Sequence, residues 1–383
     1  MIPFIDLQAQ RQRIAGRIDE AVRNVIESGR YILGPEVTEF EQKLAAFAGA
    51  RHAVSCANGT DALVMPLIAW GVGPGDAVFC PAFTFVATAE VVPWLGAHPI
   101  FVDIDPVTYN MDPESLEAAI ARVKAEGRLK PRVVIAVDLF GQPADYPRIA
   151  AIAQREGLKL IADSAQGFGC TLGGEHPAKW ADVTTTSFFP AKPLGAYGDG
   201  GAVLTDDEAL KDELESQRMH GQASKRDMEA RGYGHEAKYL NVRIGMNSRL
   251  DTIQAAILLE KLAIFADEIE ARGRVAERYN RLLAPHVAAV PQVIEGGVSV
   301  WAQYTVEHEN RDGLAAHLRA HGVPTAVYYP IPLHRQPAYE RYAAGWELPV
   351  SDAKAERVIS LPMHAYLEEA VQDRVVEAVA SFR

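Results

Sequence analysis

Short apolar runs alternate with helical patterns from His52 to about Asp206, and this alternation limits the possible folds more than any other feature of the chain. The runs are DAVFC at 76–80, HPIFVDID at 98–105, RVVIAVDLFG at 132–141 and LKLIADS at 158–164. Buried strands that are each followed by a helix are typical of a mostly parallel sheet with helices on both faces. We therefore predict an α/β fold.

A long helical pattern at residues 250–283 separates this region from a smaller C-terminal part. Beyond it, residues 300–308 are strand-like and residues 313–322 are helical. We predict a large domain over residues 1–250, and a linking helix with a small α/β domain over residues 251–383.

The stretch Asp207–Tyr239 is charged and, in its later part, dotted with glycines. Charge and glycine together favour an exposed loop over a packed element. Two interpretations stay open: a mobile or interface loop, and a simple solvated linker.

The composition is that of an ordinary globular protein, and its 383 residues are enough to bury a large core. A formal net charge of −12 disfavours nucleic acid and anionic membranes as partners. The N-terminus is too polar for a signal peptide, and no apolar run is long enough to span a membrane. An odd number of cysteines without secretory context indicates reduced thiols of a cytoplasmic protein: Cys56, Cys80 and Cys170. We predict no metal site.

Lys192 lies between an aromatic strand-like run, SFFP at 187–190, and the glycine-rich segment GAYGDGG at 195–201. A poorly hydrated lysine loses its proton easily, and a neutral amine is the form that makes a Schiff base with a carbonyl. Glycines let the backbone approach something flat or bulky. Taken alone, the lysine is more often a solvated surface residue, so its interpretation depends on the segments that follow.

Asp163 ends the apolar run at 158–162, where open α/β sheets bind their ligands. A buried carboxylate needs a cationic or hydrogen-bonding partner, and the protonated ring nitrogen of pyridoxal phosphate is one. Gln166 is placed to hydrogen-bond the phenolic oxygen of that cofactor. The alternative is that Asp163 only caps a helix beginning near Ala165.

Gly59 and Thr60 stand between a strand and a helical pattern, in HAVSCANGTDALVMPLIAW at 52–70. The free backbone N–H groups and dipole of a helix N-terminus bind anions, so the two residues are candidates for holding a phosphate. The pattern is neither a Walker loop nor GxGxxG, and an ordinary turn is the alternative. In CPAFTFVATAE at 80–90, Phe85 is placed to stack on a flat ring, unless it and Phe83 are both core residues.

These segments resemble the DegT/DnrJ/EryC1/StrS family, the sugar aminotransferases that depend on pyridoxal phosphate. Further matching segments are IPFIDLQAQ at 2–10, GRYILGPEVTEFE at 29–41, VRIGMNSRLDTIQAAIL at 242–258, VYYPIPLHRQP at 327–337 and SLPMHAYL at 360–367. The resemblance covers essentially the whole chain. It implies the fold-type I architecture of aspartate aminotransferase and a homodimer with shared active sites.

The positions that match the family's cofactor motifs are Gly59, Thr60, Phe85, Asp163, Gln166, Ser187, Lys192 and Asn247. The resemblance implies that the lysine bonds the cofactor's aldehyde, the aspartate pairs with the ring nitrogen, the glutamine faces O3′ and the phenylalanine stacks on the ring. It also implies that Ser187 joins Gly59 and Thr60 at the phosphate, and that Asn247 completes this site from the neighbouring subunit.

The resemblance further implies glutamate as amino donor and a nucleotide keto-sugar as acceptor. In an acidic chain, local positive groups must attract such an anion, and the candidates are His220, Arg243, Arg249 and His334. The implied substrate contacts are Arg243, Tyr328, Tyr329 and His334.

Several segments look most like family members that aminate C3 of UDP-2-acetamido-2-deoxy-ribo-hexuluronate for surface polysaccharide such as O-antigen. Arg243 occupies the place of an arginine that holds the sugar carboxylate in those members, and a bidentate pair would suit it. Tyr328-Tyr329 stands where they carry histidine and tyrosine, so a neutral dTDP- or UDP-linked 3-keto or 4-keto sugar is the alternative. A dehydratase of the same fold typically has histidine in place of Lys192, and a non-catalytic regulator would not need the intact lysine, aspartate and arginine.

Overall fold

The structure, a computed structural model, describes residues 2–232, 239–343 and 345–382. A seven-stranded sheet lies at the centre of the part described, in the order β1-β8-β7-β5-β4-β2-β3. Its strands are β1 (His52–Cys56), β2 (Asp76–Pro81), β3 (His98–Val102), β4 (Lys130–Val137), β5 (Lys159–Asp163), β7 (Val183–Ser187) and β8 (Gly201–Thr205), and the short β6 (Thr171–Leu172) lies outside it. Strands β3, β2, β4, β5 and β7 are parallel, whereas β8 runs antiparallel to both β7 and β1. The predicted mostly parallel sheet is confirmed.

The helices before residue 250 are α1 (Leu7–Arg13), α2 (Ala15–Ser28), α3 (Pro35–Ala48), α4 (Gly59–Ala69), α5 (Ala87–Trp94), α6 (Pro113–Glu126), α7 (Tyr146–Glu156), α8 (Glu208–Gln217) and α9 (Lys225–Arg231). The helices after it are α10 (Thr252–Leu283), α11 (Arg311–Ala320), α12 (Glu340–Ala343), α13 (Pro349–Arg357) and α14 (Glu369–Ala380). The remaining strands are β9 (Gly297–Val298), β10 (Tyr304–Glu307) and β11 (Val358–Leu361). Among the residues described, no helix has both the length and the apolar character needed to cross a bilayer.

Alternate residues of the central strands pack into different layers of core. In β4, Val133 and Ile135 join the cluster that contains α4 and α5, while Val134 and Ala136 join the cluster that contains α6 and α7. Because successive side chains of a strand point to opposite faces, a strand that is apolar at every position must be covered on both sides. The predicted helices on both faces are therefore also confirmed.

The C-terminal part is a two-stranded antiparallel sheet, β10 with β11, packed against α11, α14 and the end of α10. The long helix α10 belongs to two cores. Leu258 and Phe265 pack with the large sheet, and Tyr279 and Leu283 pack with the small one. The long helix thus packs against both sheets, and the domain boundary at residue 250 stays a prediction.

The loop prediction for Asp207–Tyr239 is wrong over two segments, because α8 occupies Glu208–Gln217 and α9 occupies Lys225–Arg231. Asp207 accepts hydrogen bonds from the backbone of the first helical turn, and Leu210 and Leu214 are buried. Two leucines four residues apart, among many charged residues, are enough to dock a helix but too few to stand out as a periodic pattern. Residues 233–238 lie outside the part described.

At the start of β8 the backbone of Gly201 lies close to that of Asn58, and this contact can be tested by substitution. A Cβ on Gly201 would lie 2.3 Å from the carbonyl oxygen of Asn58, whereas one on Gly273, inside α10, meets nothing within 4 Å. Gly201→Ala should therefore lower the free energy of unfolding by about 1–3 kcal/mol through overpacking. Gly273→Ala should raise it by about 0.5–1 kcal/mol, because alanine favours a helix interior. Denaturant melts of both variants check this, and equal stability of the two would contradict the backbone contact.

Candidate active site

A cavity of about 450 Å³ opens at the carboxyl ends of the parallel strands. The sequence-predicted residues that line it are Gly59, Thr60, Phe85, Asp163, Gln166, Ser187, Lys192, Tyr328 and Tyr329. The structure thus brings together the predicted cofactor residues other than Asn247. Further lining residues that the sequence analysis did not single out are Ile5, Asn58, Thr84, Thr88, Asp199 and Gln303.

Asp163 ends β5 and is 4% exposed. Its Oδ2 accepts a hydrogen bond of 2.9 Å from Thr88 Oγ1, and its Oδ1 accepts one of 3.2 Å from the backbone N–H of Ala165. Burial raises the pKa of Asp163, while these hydrogen bonds and the positive charge of Lys192 act in the opposite direction. Residue 165 starts a turn and not a helix, so the alternative of a helix cap is not supported.

Lys192 lies in the turn between β7 and β8, where its backbone N–H donates to the carbonyl of Phe189 at 2.8 Å. The turn is tight, since a Cβ on Gly195 would lie 2.4 Å from the carbonyl oxygen of Pro190. Burial lowers the pKa of Lys192, and the carboxylate of Asp163 raises it in part. The structure therefore favours an amine that gives up its proton more easily than a solvated lysine does.

The order of three strands brings the phosphate candidates together. In β8, Gly201 pairs with Cys56 of β1 on one side and with Ser187 of β7 on the other. The turn after β1 consequently meets the end of β7, and a Cβ on Gly59 would lie 2.6 Å from the Cβ of Ser187. Gly59 and Thr60 open α4 and line the cavity, and their amides have no partner one turn earlier in the helix. Two free amides, two hydroxyls and a helix N-terminus fit a phosphate.

Gln166 is fixed by two hydrogen bonds. Its Oε1 accepts from the backbone N–H of Phe140 at 2.9 Å, and its Nε2 donates to the hydroxyl of Tyr329 at 2.9 Å. One Nε2 hydrogen is left over for a ligand oxygen. Phe85 is 51% exposed, and its ring centroid lies 6.3 Å from that of Tyr329, whereas Phe83 is fully buried. Phe83 is thus the core residue of the pair, and Phe85 is free to stack on a flat ligand.

Thr88 is, among the residues that the sequence analysis did not single out, the one whose side chain contacts Asp163. It is the side-chain donor to Asp163, and its own Oγ1 lies 3.2 Å from that of Thr84. The two threonines are four residues apart, with Thr84 in the bend before α5 and Thr88 in its first turn. That spacing was the available signal, but the contact with Asp163 joins positions 75 residues apart.

Three predicted residues lie away from the cavity in the single chain. Arg243 Nη2 is 3.0 Å from Asp227 Oδ1, and Asn247 is exposed. The ring of His334 is buried, with Nε2 3.2 Å from Asp352 Oδ1 but without hydrogen-bond geometry. Their roles stay predictions.

The charge candidates His220 and Arg249 lie in the same loop region as Arg243 and outside the cavity lining. The backbone carbonyl of His220 accepts from Asn241 Nδ2 at 2.8 Å, and Arg249 Nη1 lies 3.7 Å from Met219 Sδ. Neither contact gives them a role in the site described.

A buried carboxylate, a lysine of lowered pKa, a phosphate cradle and an exposed aromatic ring together fit pyridoxal phosphate. The model of the DegT/DnrJ/EryC1/StrS aminotransferase family matches residues 12–380, and the chain belongs to that family. It is a pyridoxal phosphate-dependent aminotransferase with a fold-type I architecture.

Individual relatives match over nearly the whole chain. A Pseudomonas aeruginosa protein named UDP-2-acetamido-2-deoxy-3-oxo-D-glucuronate aminotransferase is 50% identical over 97% of this chain and 97% of its own. The crystal structure of a DegT DnrJ EryC1 StrS aminotransferase from Brucella abortus is 54% identical, with a TM-score of 0.94, and covers 100% of this chain and 99% of its own. NtdA from Bacillus subtilis, solved with bound cofactor PMP, is 31% identical with a TM-score of 0.86 and covers 99% of this chain and 84% of its own.

Borohydride reduction of the protein loaded with pyridoxal phosphate should fix the cofactor on Lys192, as peptide mass spectrometry would show. Lys192→Ala should bind the cofactor reversibly and lose it on dialysis, because the covalent attachment is gone. The matched control is Lys261→Met. Burial lowers the pKa of Lys261 to about 8, but its Nζ donates to the carbonyl of Gly195 at 2.5 Å. Label on Lys261 in the unaltered protein would overturn the assignment of Lys192.

Proposed function

We propose that this enzyme transfers the amino group of glutamate to C3 of a UDP-linked 2-acetamido-2-deoxy-3-keto-uronate, in the cytoplasm, for surface polysaccharide such as O-antigen. The observation that supports this reaction is that Asp163 and Lys192 line one cavity together with the phosphate candidates Gly59, Thr60 and Ser187. The acceptor is inferred from the 50% identity with the Pseudomonas aeruginosa enzyme over nearly both chains. The three cysteines are buried free thiols, which agrees with a reducing compartment.

Bound pyridoxal phosphate supplies the electron sink that stabilises negative charge at the donor's α-carbon. Lys192 provides the base, because burial favours the neutral Nζ that can take the α-proton of glutamate. Asp163, whose carboxylate accepts hydrogen bonds from Thr88 and from the amide of Ala165, would pair with the ring nitrogen of the cofactor and favour its protonated form. Gly59, Thr60 and Ser187 would hold the phosphate and so keep the cofactor in place during proton transfer.

Arg243 and Asn247 are proposed to act on the site of a partner subunit in a homodimer. Both are absent from the cavity lining of their own chain, although their segment matches the family. The apolar side chains of Tyr31 and Ile32 are each 48% exposed, and Ile244, beside Arg243, is 90% exposed. Apolar residues left at a surface in this way are typical of an interface between subunits.

Mixing two inactive variants tests the shared site. Lys192→Ala lacks the base and Asn247→Asp places a charge beside the partner's phosphate, so each homodimer should be inactive. After subunit exchange, hybrids carry one site free of both changes, and part of the wild-type activity should return. Native mass spectrometry shows whether exchange has taken place, and exchange without any return of activity would contradict shared sites.

The sugar carboxylate is proposed to pair with Arg243. In the single chain Asp227 holds Nη2 of this arginine, whereas Nη1 is buried and has no hydrogen-bond partner among the residues described. A guanidinium that is fixed on one side presents its other edge to an oxygen in a defined direction. The alternative acceptor, a neutral dTDP- or UDP-linked keto-sugar, rests on Tyr328-Tyr329, since both tyrosines line the cavity.

Arg243→Ala should discriminate between these acceptors. Loss of one partner of a desolvated ion pair costs about 2–5 kcal/mol. The kcat/KM for the keto-uronate should therefore fall roughly thirty- to several-thousand-fold, and that for a neutral UDP-keto-sugar far less. Arg226→Ala, which removes the same charge from an exposed position of α9, serves as the matched control. Equal losses for both sugars would show that Arg243 holds the loop or the pyrophosphate, and a wild-type preference for the neutral sugar would favour the alternative.

A further inference from the structure

A second buried carboxylate lies beside the catalytic one, at the end of the next strand. Asp138 follows β4 and is fully buried. Its Oδ1 accepts from the Tyr146 hydroxyl at 2.7 Å and from the Ala144 amide at 3.2 Å, and its Oδ2 accepts from the Ser164 hydroxyl. Its backbone N–H donates to the carbonyl of Asp163 at 3.0 Å. The mechanism above gives this carboxylate no task.

The two carboxylates are held differently. Asp163 lines the cavity, whereas Asp138 does not and has its acceptor sites filled by the protein. The turn after β5 packs on Asp138 so closely that a Cβ on Gly167 would lie 2.2 Å from its Cβ. This turn begins after Asp163 and carries Ser164 and Gln166. Asp138 therefore contacts the segment that holds both predicted ring contacts, Asp163 and Gln166.

Burial of two anions at neighbouring strand ends favours a positive charge near them. Burial raises the pKa of Asp138 to about 7, although three donors act to lower it and the charge of Asp163 raises it further. The other titratable groups facing Asp138 are Tyr146 and Cys170, whose pKa values are raised by burial and then by Asp138 itself. Burial therefore favours the neutral forms of Tyr146 and Cys170, whereas Asp138 gains its negative charge as the pH rises through about 7.

We propose that Asp138 is a positioning residue whose buried negative charge, acting through Asp163, helps keep the cofactor's ring nitrogen protonated. This inference rests on the proposed pairing of Asp163 with that nitrogen. An anion close to Asp163 makes loss of the proton from the ring less favourable, in the same sense as Asp163 itself but more weakly. The three donors to Asp138 offset part of the cost of burying its charge.

Asp138→Asn separates charge from shape. The amide oxygen can still accept from Tyr146 and Ala144, and the hydroxyl of Ser164 can turn to accept from the new NH₂ group. The variant is loaded with pyridoxal phosphate labelled with ¹⁵N in the ring, and the nitrogen shift is followed against pH. We expect the midpoint of ring deprotonation to fall by about one pKa unit, which is tenfold in the protonation equilibrium. The kcat should fall and the KM should stay unchanged.

Two controls separate the possible failures. Tyr146→Phe removes a hydrogen bond but leaves the charge, so its nitrogen midpoint should move much less than that of Asp138→Asn. Asp163→Asn should lower the midpoint strongly. A normal midpoint in Asp163→Asn would contradict the proposed pairing of Asp163 with the ring nitrogen. A lowered midpoint in Asp163→Asn together with a normal midpoint in Asp138→Asn would overturn only the inference about Asp138. Equal shifts in Asp138→Asn and Tyr146→Phe would also overturn it, because they indicate a purely structural network.

A second variant keeps the inference testable if Asp138→Asn does not fold. Ser164→Ala removes one donor to the Asp138 carboxylate and so raises its pKa above about 7. At pH 8 a smaller fraction of Asp138 is then charged, so the protonated fraction of the ring nitrogen at that pH should fall, though by less than in Asp138→Asn. An unchanged nitrogen shift at pH 8 in Ser164→Ala would overturn the proposal.

Discussion

The site depends on the burial of both Asp163 and Lys192, away from water, at the carboxyl ends of the strands. Burial disfavours the charged form of each, and the charge of each stabilises the other. An isolated buried ion costs several kcal/mol, so neither group keeps its charge there without help. The carboxylate has help from Thr88 and a backbone amide, whereas no hydrogen bond to the ammonium is seen among the residues described. The hydrogen bonds therefore favour the charged form of the aspartate against the effect of burial, whereas burial favours an amine that releases its proton.

The antiparallel strand β8 is what makes one site out of two distant segments. Because β8 is antiparallel to both of its neighbours, its first residue lies beside the carboxyl ends of β1 and β7. Because Gly201 pairs with Cys56 and with Ser187, the phosphate cradle and the Lys192 turn are set by backbone hydrogen bonds. Contacts this close require glycine at position 201 and at Gly59. The glycines therefore serve backbone packing as well as the approach of a ligand.

The sequence predicted the buried strands well, because strands covered on both faces must be apolar at nearly every position. The helix α8 escaped prediction because two leucines dock it and the rest of its surface is charged. The positions of Asp163 and Lys192 followed from their places at strand ends. The hydrogen bonds of Gln166 did not, since one of its partners, Tyr329, is 163 residues away. The task inferred for Asp138 could not be found either, because it depends on the register between β4 and β5, which places Val137 beside Asp163.

Arg243, which is proposed to read the sugar, lies in the loop between α9 and α10 and not at a strand end. The segment around Arg243 is tied to the end of α8: His220 donates to the Met246 carbonyl at 3.0 Å, and Met246 donates to the Gln217 carbonyl at 2.8 Å. A Cβ on Gly221 would lie 1.9 Å from the carbonyl oxygen of Arg243, so the backbone segments around these two residues are in direct contact. Ser248 ties the same loop to the turn after β1, because its Oγ accepts from the amide of Ala57 at 3.0 Å and donates to Asp61 Oδ2 at 2.6 Å. A substitution at Arg243 can change what the loop recognises while these contacts stay in place. One fold can in this way serve different acceptors, because the proton-transfer groups follow the strands of the sheet whereas Arg243 lies in a loop.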